Sequence, residues 1–141
     1  SPDGQAHLIF DLIRWCNYAE LDQLDSIIRN LLTHEITHLL IGHRYPAADA
    51  ALESTDYLRR LDAYTFHEGF AHLLSYQATE IDCVDWQFLE EAVCGSYYEK
   101  FACMCGMLYL ADRWETQGID GLQSAFADYH GFAQRALSIR I

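Results

Sequence analysis

The chain is expected to fold as a mainly α protein around one hydrophobic core, and three observations lead there. Residues 22–42 show helical periodicity, with Ile27, Leu31, His34, His38 and Ile41 on one stripe. Only two prolines occur, Pro2 and Pro46, and proline is the residue that most firmly ends a helix. The 141 residues are 51% hydrophobic, which suits a globular domain with its own core. No internal repeat, low-complexity tract or linker divides residues 1–141, so a single domain is expected. The chain opens on Ser1 and not on Met, which leaves room for a removed leader or a longer N-terminal part.

The elements follow in order. Residues 6–15 alternate as a partly buried strand, Leu8, Phe10 and Leu12 against Ile9, Asp11 and Ile13; Ile9, Ile13 and Cys16 equally suit a helix. At most a small N-terminal sheet is expected. Asp22 is a suitable N-cap for the helix over 22–42, Gly42 a suitable terminator, and Pro46 lies past its end. Residues 43–55 read as a loop with one short helical turn. A second long helix is expected from about Asp56 to about Thr79, with Leu61, Thr65, Glu68, His72 and Ser75 on its inner stripe. A third covers 81–94 and stops at Gly95. A fourth is capped by Ser96, passes Phe101, Cys105 and Leu108 to Trp114, and breaks at Gly118. Two shorter helices are expected over 119–140.

Composition removes several function classes. The net charge is −12, from 9 basic and 21 acidic residues. A nucleic-acid surface needs Lys and Arg against phosphate, so none is expected. No run reaches the ~18 apolar residues of a membrane span. The five cysteines, Cys16, Cys83, Cys94, Cys103 and Cys105, form no CxxC pair. Free thiols are expected, which leans towards a reducing, cytoplasmic compartment unless a leader directed the chain outside.

The chemistry concentrates in His34-Glu35-Ile36-Thr37-His38, an HExxH string inside the first helix. Positions i and i+4 share a helix face, so the two imidazoles can hold one metal ion. Glu35 points about 100° away, where it suits a general base better than a ligand. Ordinary helix-face histidines are the competing reading, and on an inward stripe their ring nitrogens then need other partners. A catalytic zinc takes three protein ligands and one water. His43 suggests the metzincin spacing HExxHxxGxxH, but Gly42 and His43 each fall one position off and Arg44 stands where the third histidine belongs. Glu68 is the better candidate. The interval from His38 allows the chain to turn back and lay a second helix across the first, and Gly69 beside it permits a close helix approach.

HEITH followed by Glu68-Gly69-Phe70-Ala71-His72 resembles the gluzincin metallopeptidases, whose third zinc ligand is a glutamate on a downstream helix. The resemblance covers residues 22–79 well and 96–127 more vaguely. It implies a zincin-like helical core, zinc on His34, His38 and Glu68, and Glu35 as base, with a peptide or protein as substrate. It also implies a group that hydrogen-bonds the oxyanion, for which Tyr97 and Tyr98 are candidates. His67 and His72 are read as supporting or packing residues, with His72 also an alternative ligand. Asp62 and Asp82 are candidates to orient ligand histidines. Two rival functions stay open: a catalytically silent zinc-binding interaction module, closed by a fourth ligand such as His72 or His43, and a zinc hydrolase of a non-peptide bond.

Overall fold

A computed structural model describes His7, Ile9, residues 21–77 and residues 105–138. The described residues are mainly α, with five helices and no strand. These are α1 (Leu21–Arg44), α2 (Pro46–Ala51), α3 (Tyr57–Gln77), α4 (Gly106–Phe126) and α5 (Phe132–Leu137). The strand-or-helix segment 6–15, apart from His7 and Ile9, and the helix expected over 81–94 lie outside the described residues.

Helix α1 passes straight through Gly42 and ends at Arg44, so Gly42 is not its terminator. A Cβ on Gly42 would stand 3.1 Å from Asp49 Oδ1 on α2; the glycine serves close packing there. Termination falls to Tyr45 and Pro46. Tyr45 takes φ −129°, ψ 71°, outside the helical region, as a residue preceding proline tends to. Pro46 then opens α2, where its missing N–H costs nothing. Asp56 caps α3 by accepting the N–H groups of Leu58 and Arg59 at 3.0 and 3.3 Å.

Helix α3 is the centre of the fold and packs on α1, α2, α4 and α5. Its Phe66 is fully buried. The ring meets Phe70, Phe126 and Phe132 at centroid distances of 5.2, 5.5 and 5.3 Å, within the range of favourable aromatic pairs. On another side α3 touches α4 backbone to backbone. A Cβ on Gly69 would lie 2.8 Å from the Gly106 carbonyl carbon, and one on Gly106 would lie 2.5 Å from Thr65 O. Only paired glycines allow that approach.

Gly118 breaks the regular helix, as expected, with φ 61° and ψ −145°. The chain doubles back there: Gly121 comes so near that an added Cβ would stand 2.5 Å from Arg113 O. α4 is therefore two arms joined at an elbow. α5 is held from a distance. Asp62 on α3 accepts the N–H of Gly131 at 2.7 Å and of Ala133 at 3.0 Å. These are the N-terminal donors of α5, which has no side-chain cap of its own. Asp62 is thus a cap for α5, and the expectation that it orients a ligand histidine is corrected.

Two outcomes follow. Gly106→Ala forces α3 and α4 apart and should destabilise the protein by about 1–3 kcal/mol or more, read as a lower urea midpoint. An unchanged midpoint would contradict the backbone contact. Asp62→Ala should cost about 1–3 kcal/mol through two uncapped donors, with metal content per folded chain unaltered; loss of metal in a fully folded variant would return Asp62 to the site.

Candidate metal centre

α1 and α3 each carry two ionisable groups one turn apart: His34 and His38 on α1, Glu68 and His72 on α3. The i, i+4 spacing puts each pair on one face, and the packing of α1 on α3 turns the two faces together. His34 Nε2 and His38 Nε2 lie 3.0 Å apart. Glu68 reaches between them, with Oε2 at 3.5 Å from His34 Nε2 and Oε1 at 3.5 Å from His38 Nε2. His72 Nε2 is 3.6 Å from Glu68 Oε2, and its ring meets that of His34 edge-on at 4.8 Å. One donor atom from each of His34, Glu68 and His72 lies within 4.8 Å of the others.

These separations test the fit of a metal. Donors about 2.0–2.1 Å from one ion at tetrahedral angles stand about 3.3 Å apart. The spacings of 3.0–3.6 Å bracket that value, and imidazole nitrogens with a carboxylate are a donor set zinc accepts. The donor types and spacings are compatible with a metal ion, zinc among them. The cluster is neither open surface nor deep core: side-chain exposures are 18% for His34, 26% for His38, 23% for Glu68 and 27% for His72.

The electrostatics favour the neutral form of His38, His67 and His72. Burial lowers the pKa of His38, with the Glu68 charge opposing. Burial, then the neighbouring His34 and His38, pushes His72 down to about 4. Burial, then His38, pushes His67 down to about 4. Neutral imidazole has the free lone pair a metal requires.

His67 stands apart from the donors. It lies nearly flat against the His38 ring, with centroids 5.8 Å apart and planes inclined 24°. It is 2% exposed, and neither ring nitrogen has a hydrogen-bond partner. His43 is exposed in the last turn of α1. Tyr97, Tyr98 and Asp82 lie outside the described residues.

Two pockets flank the centre. The larger, about 390 Å³, is lined by Glu35, His34 and His72 together with the apolar Ile27 and Leu31. Asn30 and Ser75 complete it. The smaller, about 200 Å³, is bounded by His38, His67 and Glu68 with Tyr64 and Asp49. Ser75 belongs to the inner stripe expected from the sequence, whereas Asn30 and Tyr64 were not singled out there. Asn30 had a usable signal, since it lies four residues before His34 and so on the metal face. Its Oδ1 is buried without a partner. Tyr64 sits four residues before Glu68 in the same way.

Comparison with family models, with curated proteins and with solved structures finds no match. Among the described residues no helix is long and apolar enough to cross a membrane.

The lowered histidines set a pH dependence for the metal-free protein. A histidine in the unfolded chain titrates near ~6.5, whereas His67 and His72 titrate at about 4 when folded. Between these values the unfolded chain binds more protons, so stability rises with pH. The stabilisation is complete above pH ~6.5 and disappears as pH falls towards 4. The urea midpoint of chelator-treated protein should fall steadily across that window, and His67→Phe should flatten part of the slope. A level midpoint in the wild type would count against neutral buried rings.

Proposed function

We propose that this chain is a zinc-dependent hydrolase of peptide bonds. The observation that carries the reading is the convergence of His34, His38 and Glu68 at zinc-donor separations, with Glu35 lining the pocket that opens beside them. His34, His38 and Glu68 would hold the ion. Zinc in such a donor set supplies a Lewis acid and lowers the pKa of a water to about 7.

The remaining work belongs to the chain. Glu35 follows His34 in sequence and so projects about 100° round the helix, away from the donors and into the same pocket. In this reading its carboxylate would take a proton from the attacking water and return it to the leaving amine. Ile27 and Leu31 offer an apolar wall for a substrate side chain. The Asn30 carboxamide, one turn before His34, is placed to hydrogen-bond a peptide group. The acidic balance of the chain argues against a polyanionic substrate.

A second reading, a zinc-binding interaction module, is favoured by one observation: His72 approaches Glu68 almost as closely as the signature histidines do. Purified protein supplied with zinc should hold about one ion per chain. Glu35→Gln should keep that ion and lose about 10²–10⁴-fold in peptide hydrolysis, and a chelator should abolish the wild-type activity. Metal loss in Glu35→Gln would make Glu35 a ligand. A zinc-loaded wild type silent on a broad panel of unfolded proteins would favour the interaction module.

A further inference from the structure

We propose that the smaller pocket, on the His38 side of the centre, binds the charged group of a lysine or arginine side chain, which in the hydrolase reading belongs to a residue beside the scissile bond. The inference rests on that reading for the identity of the substrate, and on the pocket alone for the binding of the cation.

The pocket of about 200 Å³ is lined by His38, Asp49, Leu52, Tyr64, His67 and Glu68. Pockets that take a whole small molecule run to about 300–1,000 Å³, so this one suits a single side chain. Among the described residues its wall holds two carboxylates and no lysine or arginine. With Glu68 given to the ion, Asp49 is the carboxylate left for a guest. Burial lowers the pKa of His38 and His67, and the Asp49 charge opposes it at both rings. His67 adds an independent observation. It is 2% exposed, and neither ring nitrogen has a hydrogen-bond partner. One nitrogen of a neutral imidazole is an acceptor, and the N–H groups of a cationic guest are the partner it lacks. Leu52 and the Tyr64 ring offer apolar surface to the methylene stem of such a side chain.

A second metal ion is a poorer guest. Among the described residues, the donors close enough together for one ion come from His34, Glu68 and His72, with neither Asp49 nor His67 among them. The charge therefore arrives on an organic stem. The larger pocket meets the centre through His34, Glu35 and His72, the smaller through His38 and Glu68. An extended peptide points successive side chains to opposite faces. A peptide crossing the centre would then lay an apolar side chain against Ile27 and Leu31 and a basic one against Asp49.

Protein with labelled histidine rings, titrated with N-butylguanidinium in the presence and absence of zinc, tests the pocket without hydrolysis. The His67 ring signals should shift, and the neutral isostere N-butylurea should leave them in place. Asp49→Asn keeps the side-chain shape and should weaken guanidinium binding about tenfold or more, the scale of one charge-assisted hydrogen bond. No shift with guanidinium, or an equal shift with the urea, would overturn the proposal. Among peptides that differ only in lysine or norleucine beside the scissile bond, the wild type should prefer lysine in kcat/KM, and Asp49→Asn should lose about tenfold or more of that preference. Cleavage with no basic preference would overturn the proposal and leave the hydrolase reading standing. Guanidinium binding by a protein that cleaves no peptide would support the pocket and overturn the hydrolase. The two probes on the wild type decide the matter even if Asp49→Asn does not fold.

Discussion

The contact between Gly69 and Gly106 governs the arrangement of the rest. Two helix backbones meet there with no side chain between them, and α3 is thereby seated deep against α4. Gly69 follows Glu68 directly, so a helix face turned towards α4 at one residue is turned towards α1 at the one before. The rotation of α3 about its own axis, fixed by two missing methyl groups, is what aims Glu68 and His72 at the signature histidines. The aromatic cluster round Phe66 holds the same rotation from another side, where a buried ring resists displacement because interiors are close-packed.

The seam between α1 and α3 is polar in a fold that is otherwise ordinary. Three histidines and a glutamate line it, and burial keeps two of the α3 histidines neutral at physiological pH. Such a seam stabilises nothing by hydrophobic burial. An unpaired buried polar atom costs about 1–3 kcal/mol, and His67 carries two of them. In the proposed centre a cation held by both helices would offset the cost of bringing its own donors out of water through direct ligation; the His67 ring nitrogens would gain nothing from it.

Much of this was readable in the chain. The α1 stripe, the start of α3 at Asp56 and the break at Gly118 all follow from local rules, since periodicity, capping and backbone freedom act over a few residues. The grouping of Glu68 with His34 and His38 was legible because HExxH narrows the search to a third donor. Features set by distant contacts were not. Gly42 resembles a terminator, yet its role comes from Asp49 on the next helix. Asp62 resembles a site carboxylate, yet it meets α5 some seventy residues on. His72 lies four residues after Glu68, but sequence cannot say how near its ring comes to His34, which it meets edge-on at 4.8 Å; that depends on the depth at which α3 sits. Asn30 lies upstream of HExxH, where the motif itself assigns no role.

The two sides of the centre differ in how firmly the fold grips them. α3 is enclosed by four helices, while α1 shows a solvent-facing stripe in which Ile36, Leu39 and Leu40 are 45%, 46% and 62% exposed. Helices of the first kind open only when the whole molecule unfolds, and those of the second open locally at lower free energy. A cation bound across the seam, as proposed, would tie the second kind to the first. Amide hydrogens along α1 would then exchange no faster than those of α3, and without the ion the signature histidines would ride on the more exposed of the two helices.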